Sequence, residues 1–186
     1  DWNGEKVFLI RHDIDFDIKL AHDIALIEKK LGIVSTFFFL TSCHSYNVLS
    51  KESRLLIRKI NSMGHEIGLH FDPTLYKENL QTYVESEANI LSLASGVEIK
   101  SVSLHNPTLY GEYPLFKKYV NAYDPSMFSD YNYISDSNFS FRNKDPFEFI
   151  DRIEDTMIQI LLHPMHYSKT GWEYDTIFIE AFRSYI

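Results

Sequence analysis

The chain of 186 residues is 45% hydrophobic and carries a formal net charge of −8, which suits a globular protein with a substantial core. This acidic balance argues against nucleic acid as a partner, and no apolar run approaches the roughly 20 residues of a membrane span. The one cysteine, Cys43, excludes an intrachain disulfide and favours a reducing compartment, so we expect a single domain, residues 1–186, in the cytoplasm.

Apolar runs and helical patterns alternate along the first two-thirds of the chain. Buried strands are predicted at residues 6–10, 34–40, 66–69 and 100–104. The amphipathic helices between them are predicted to end at Gly32, Gly64 and Gly96, and Ser50 is a plausible N-cap of the second helix. Such helices imply right-handed crossovers between parallel strands, hence a sheet or barrel with helices outside.

The pattern is looser after Pro107. Two further strands are predicted at residues 131–135 and 157–162. A short helix is predicted near residues 147–153, and a final helix over residues 175–185. No linker or repeat divides the chain.

The segment GHEIGLHFD, which begins at Gly64, comes close to the helical zinc motif H-E-x-x-H. That motif needs two histidines four residues apart on one helical face. His65 and His70 are five apart, and Gly68 between them costs roughly 1 kcal/mol in a helix interior. We therefore predict a helix that ends at Gly64, followed by a strand whose carboxyl end carries His70.

Five predicted strands are followed by aspartate or histidine. In parallel α/β folds the carboxyl ends of the strands converge and carry the functional side chains. One such residue is commonly structural, and Asp15 or Asp17 could instead cap the first helix. Five together favour a shared functional site. Its candidate members are Asp13, Asp15, His70, Asp72, His105, Asp136 and His163.

Other histidines fit this site less well. His65 lies at the opposite end of its strand and His22 within a helix, so both are expected to be structural or solvated. His44 could line the rim of the site. His166 could contact substrate or lie at the surface.

The segments RHDID, STFFFL, GHEIGLH, SLHNPTLYG and ILLHP occur in an order and spacing that resemble the polysaccharide deacetylase (NodB-homology) family. The similarity runs from Val7 to about His166, and GHEIG followed by histidine is its most specific part. The resemblance implies a distorted parallel β/α barrel of about seven strands, with the active site at their carboxyl ends. It also implies removal of acetyl groups from N-acetylated sugars or polysaccharide precursors with a divalent metal, usually zinc.

By this resemblance Asp13 is the catalytic base, His163 the general acid, and Asp15 and His70 are metal ligands. The family's second ligand histidine is replaced by Thr74, and its third motif begins with His105 where arginine is usual. A hydrolytic zinc site needs three protein ligands.

We take His105 as the third ligand, with Asp72 or a water as competitors. His105 could alternatively replace the arginine that orients Asp13. Asp136, Tyr110 and Trp172 are predicted to contact the sugar.

Two other functions stay open at this point. The chain could hydrolyse another amide on the same fold, such as a small cyclic amide or a formamide. It could also be a non-catalytic pseudoenzyme that binds a glycan or a partner. Thr74 favours that last hypothesis. The presence of Asp13, Asp15, His70 and His163 together opposes it, because a binding protein needs no acid and base.

Overall fold

The computed structural model describes residues 6–152, 157–168, 173, 175–177 and 179. Seven strands form one parallel sheet that curls into a half-barrel with helices on its outside. The strands are β1 (Val7–Ile14), β2 (Thr36–Leu40), β3 (Glu66–Phe71), β4 (Ser101–Leu104), β5 (Val120–Asn121), β6 (Tyr133–Ser135) and β7 (Met157–Leu162). Their order in the sheet is β5-β4-β3-β2-β1-β7-β6. This architecture confirms the predicted parallel β/α barrel.

Helices connect the first four strands in the predicted order. The helices are α1 (Ile18–Leu31), α2 (Lys51–Ser62), α3 (Leu80–Ser95), α4 (Pro107–Tyr110) and α5 (Pro146–Arg152). Ser50 caps α2 as predicted, and Asp17 caps α1 by accepting a hydrogen bond from the Lys19 N–H. Gly32 ends α1 in the left-handed region, with a φ of 72° that favours glycine. None of the described helices has both the length and the apolar character needed to cross a membrane.

The observed elements differ from the prediction at several ends. β1 continues to Ile14, four residues past its predicted end. Its last residues carry mostly polar side chains, but their backbone still pairs with β2. An apolar run cannot reveal this, since the pairing uses backbone groups. β5 has only two residues and no pattern of its own. The predicted final helix is helical at residues 175–177 and 179, and its other residues lie outside the described ones.

The two faces of the sheet have different chemistry. The outer face packs apolar side chains such as Phe37, Phe39 and Leu69 against the helices. Successive side chains of a strand point to opposite faces of the sheet, and that of His12 in β1 points outwards. Its Nε2 lies 2.8 Å from Glu28 Oε1 of α1. His65 is buried in the same layer, 3.1 Å from the carbonyl oxygen of Ala25, in the structural position expected for it.

Candidate metal centre and active site

Polar side chains from four strands converge at the carboxyl edge of the sheet. Asp13 lies near the end of β1 and Asp15 follows that strand, while His70 lies near the end of β3. His105 and His163 follow β4 and β7 directly. All five line one cavity of about 670 Å³. The sequence places these residues far apart, and the parallel topology brings them together.

Asp15, His70 and His105 form a nearly equilateral triangle of possible ligand atoms. Asp15 Oδ1 lies 3.1 Å from His70 Nε2 and 3.2 Å from His105 Nδ1, and the two nitrogens are 3.1 Å apart. Zinc bonds of about 2.0–2.1 Å in a tetrahedral arrangement place their ligand atoms roughly 3.3 Å apart. The residues therefore fit a divalent metal, with two imidazole nitrogens and one carboxylate oxygen as its ligands.

Neighbouring groups hold the two imidazoles in this orientation. His70 Nδ1 lies 3.3 Å from the carbonyl oxygen of Ser103, so its Nε2 is the nitrogen that faces Asp15. The side-chain amide of Asn106 lies 2.8 Å from His105 Nε2 and leaves Nδ1 towards the same carboxylate. Partners of this kind, which engage the ring nitrogen away from the centre, are typical of metal-binding histidines.

The charges of the triangle reinforce one another. Burial by itself would raise the pKa of Asp15, but hydrogen bonds from His105 and His70 hold it well below its ordinary value. Burial would likewise lower the pKa of His105, yet the hydrogen bond and charge of Asp15 raise it. Asp15 is thus an ionised carboxylate at neutral pH, the form that a metal requires.

Asp13 lies beside this triangle and is almost fully buried, with 2% of its surface exposed. Its Oδ2 is 3.8 Å from His70 Nε2 and accepts a hydrogen bond of 3.1 Å from the Ser103 hydroxyl. Arg11 donates to the same hydroxyl at 2.9 Å, and its Nη2 lies 3.9 Å from Asp13 Oδ2. Its guanidinium also sits 4.6 Å from the centre of the Tyr123 ring. A buried cation and a hydroxyl therefore orient the Asp13 carboxylate.

His163 faces the triangle from the other side and is held by Asp136. His163 Nδ1 lies 2.6 Å from Asp136 Oδ1. The backbone N–H of His163 donates to both oxygens of the same carboxylate, at 3.1 and 3.0 Å. Its Nε2 lies 3.8 Å from Asp15 Oδ2. Burial would lower the pKa of His163, but the Asp136 hydrogen bond and the charges of Asp15 and Asp13 raise it. This favours the imidazolium, a form that can donate a proton from Nε2.

Solved structures of known proteins share this architecture. A family 4 carbohydrate esterase from Bacillus anthracis is 19% identical, with a TM-score of 0.56 over 97% of this chain and 77% of that one. The catalytic domain of a peptidoglycan N-acetylglucosamine deacetylase from Eubacterium rectale is 12% identical, with a TM-score of 0.58 over 100% and 87%. The chain has the fold of the family 4 carbohydrate esterases. The resemblance to polysaccharide deacetylases is thereby confirmed at the level of the fold.

The same fold also occurs in a protein described as a pseudoenzyme. The family 4 pseudoenzyme from Bacillus anthracis is 13% identical, with a TM-score of 0.55 over 97% of this chain. This chain spans 62% of that protein's length. No protein-family profile and no curated protein sequence matches the chain. Since the fold occurs both in a deacetylase and in a pseudoenzyme, the fold alone does not establish an activity.

Thr74 and Asp72, which bear on the third metal ligand, interact with each other. Asp72 Oδ1 accepts hydrogen bonds from the Thr74 N–H at 2.9 Å and from its hydroxyl at 2.6 Å. Asp72 thereby caps the short 3-10 helix Pro73–Leu75. His105, by contrast, completes the triangle with Asp15, and the residue that reaches Asp13 is Arg11.

The three predicted sugar contacts have different positions. Asp136 is only 3% exposed, and its carboxylate holds His163 instead of lining the cavity. Tyr110 ends α4 and does not line the cavity either, whereas Leu109 and Tyr113 nearby do. Trp172 lies outside the described residues. Asp136 and Tyr110 thus lie outside the cavity wall, and their contact with a sugar stays a prediction.

The sequence analysis did not predict that Arg11 lies beside Asp13 or that Asp136 pairs with His163. Arg11 could have been found, because residues two apart in a strand face the same side and Asp13 follows it at that spacing. The partner of His163 had no such signal, since Asp136 precedes it by 27 residues.

Proposed function

We propose that the chain is a metal-dependent deacetylase that acts on an N-acetylated sugar or polysaccharide. Asp15, His70 and His105 are the proposed ligands. The observation that carries the proposal is their triangle of ligand atoms, with edges of 3.1–3.2 Å. Deacetylases among the structural neighbours, one of them a peptidoglycan N-acetylglucosamine deacetylase, support a carbohydrate substrate.

In this proposal the chain's own residues move the protons. A divalent metal such as zinc, when bound, would supply Lewis-acid activation of the attacking water and the acetyl carbonyl. Asp13 takes the proton from that water, because its buried carboxylate is oriented by Arg11 and Ser103. His163 gives the Nε2 proton to the leaving amine, and Asp136 stabilises the imidazolium until it does so. Asp13 and His163 come from the adjacent strands β1 and β7, which lets them flank the scissile bond.

In the proposed site, His105 takes the place of the ligand histidine that is replaced by Thr74, so the metal still has three protein ligands. The Thr74 hydroxyl is already bound to Asp72, and its oxygen is a poor substitute for an imidazole nitrogen. His105 brings an imidazole from the neighbouring strand β4 to the centre. Arg11 meanwhile supplies a positive charge to Asp13 from within β1.

A non-catalytic carbohydrate-binding protein is the second candidate. It is favoured by the pseudoenzyme with the same fold and by the changed ligand set. A hydrolase of another small amide is the third, and it would use the same metal and the same acid and base.

Metal content and affinity test the proposal first. We expect zinc to bind tightly at this triangle, so His105→Ala and His70→Ala should each bind one zinc ion fewer than the unaltered protein. His44→Ala is the matched control, because that histidine is exposed and lies outside the triangle. If His105→Ala bound metal as tightly as the unaltered protein, the proposed ligand set would be wrong.

Acetate release from N-acetylglucosamine oligomers tests the reaction. Asp13→Asn should reduce turnover by about 10²–10⁴-fold or more, as expected for loss of a general base, while metal binding stays close to that of the unaltered protein. Stoichiometric metal without acetate release would favour the other amide hydrolase. Neither metal nor turnover, with sugar binding retained, would favour the binding protein.

A further inference from the structure

A second group of ligand atoms lies behind His163. His163 caps the short 3-10 helix Pro164–Tyr167, and the His166 N–H donates to the His163 carbonyl at 2.9 Å. A 3-10 helix has three residues per turn, so side chains three apart point to the same side. Both imidazoles therefore face Asp136, with His163 Nδ1 at 2.6 Å from Oδ1 and His166 Nδ1 at 3.1 Å from Oδ2.

The composition and spacing of this group suit a small divalent cation. Its two nitrogens and the carboxylate oxygen all lie within 4.8 Å of one another. Only 5–11% of each of these side chains is exposed, which keeps competing water away. Among the described residues, no lysine or arginine forms an ion pair with Asp136, although the Tyr167 hydroxyl also contacts it.

The ligand atoms lie within 4.8 Å of one another and would have to rearrange locally to hold zinc. Tetrahedral zinc places its ligand atoms roughly 3.3 Å apart, and His166 Nδ1 is already near that distance from Asp136. His163 Nδ1 would move away from Asp136 by roughly 0.7 Å to reach that separation. The His163 backbone N–H anchors the Asp136 carboxylate, so the rings are the parts that adjust.

We propose that Asp136, His163 and His166 form a second, inhibitory site for a borderline divalent cation such as zinc. The inhibition rests on the proposed function, in which His163 is the proton donor. A cation on His163 Nδ1 takes the place of the proton that this nitrogen shares with Asp136, and that proton goes to solvent. His163 then keeps only the Nε2 proton of a neutral ring, which is far less acidic than that of an imidazolium. It cannot protonate the leaving amine.

Counting zinc ions per chain tests the second site without any assay of activity. Metal-free protein is titrated with Zn²⁺ by calorimetry, and with Co²⁺ to record the visible absorption of each centre. We expect two ions in the unaltered protein, one in His166→Gln, one in His105→Gln and none in the double variant. Thermal melts show which variants fold, and His166→Asn replaces His166→Gln if the longer side chain prevents folding.

The pattern of loss separates this inference from the proposed function. One ion that is lost in His105→Gln and kept in His166→Gln would overturn the second site and leave the first intact. One ion that is lost in His166→Gln and kept in His105→Gln would support the second site and overturn the first ligand set. No bound ion in the unaltered protein would overturn both.

The inhibitory effect has its own measurement. Acetate release should rise with the first equivalent of Zn²⁺ and fall at least tenfold as the second site fills. In His166→Gln the fall should disappear. Two bound ions with no fall in rate would keep the second site and overturn its inhibitory role.

Discussion

Replacing Gly68 by alanine would push a methyl group into the inner wall of the half-barrel. A Cβ atom on Gly68 would overlap ring carbons of Phe38, one of them at 2.5 Å, and would lie 2.7 Å from Ser101 Oγ. Carbon atoms attract best at about 3.5–4.0 Å, so the Phe38 ring would have to move by roughly 1 Å. Phe38 and Ser101 are 3% and 4% exposed, so both belong to the interior of the protein.

We expect Gly68→Ala to lower the free energy of unfolding by about 3 kcal/mol, the upper end for an added methyl group in a packed core, because two neighbours are struck at once. With a urea m value of about 2 kcal/mol/M, the midpoint of unfolding should fall by roughly 1.5 M. His70 lies two residues further along the same face of β3, so metal affinity should fall as well.

Urea denaturation followed by circular dichroism measures the change, with Phe38→Leu as the paired variant. In Gly68→Ala/Phe38→Leu the smaller side chain makes room, so the cost of the alanine should shrink by at least about 1 kcal/mol. A Gly68→Ala protein within about 0.5 kcal/mol of the unaltered one, or strictly additive effects in the double variant, would refute the argument.

Three further predictions follow from the charges of the site and its surroundings. Asp136→Asn should move the alkaline limb of kcat/KM to lower pH, because the Asp136 hydrogen bond is the largest of the contributions that raise the pKa of His163; an unmoved limb would contradict this. Arg11→Met should destabilise the fold by about 3–5 kcal/mol in urea unfolding, since Asp13 is left buried without its cation, and Arg11→Met/Asp13→Asn should recover part of that loss. Burial alone would raise the pKa of Glu28, but its hydrogen bonds hold it below the ordinary 4.5, so its stabilisation is present above pH 4.5 and lost as the pH falls through the folded-state pKa. Glu28→Gln should therefore flatten the acid dependence of the unfolding free energy, and an equally steep dependence would show that another group causes it.

The local sequence pattern predicted most of the strands and the residues that follow them. Apolar runs located six of the seven strands, and the glycine positions located the ends of α1, α2 and α3. The polar residues after those runs identified five side chains of the cavity. β5 was not predicted, because two residues make no pattern. The end of β1 was predicted too early, because its backbone pairing continues where the side chains are polar.

The local sequence pattern did not predict which partner each polar side chain contacts. Asp136 was expected to face a sugar, yet it holds His163, 27 residues away. Ser103 reaches Asp13 across 90 residues of sequence, and no local pattern links the two.

Chain order and apolar periodicity were enough to predict a parallel sheet or barrel with its reactive residues at one edge, and the resemblance to polysaccharide deacetylases implied the barrel. Propensities, caps and alternation act over a few residues, and parallel crossovers then determine which strand ends meet. Only the tertiary structure decided that His105 completes a triangle with Asp15 and His70, and that Arg11 turns towards Asp13. Those distances depend on the register and curvature of the whole sheet, which bring atoms from separate strands to within about 3–4 Å.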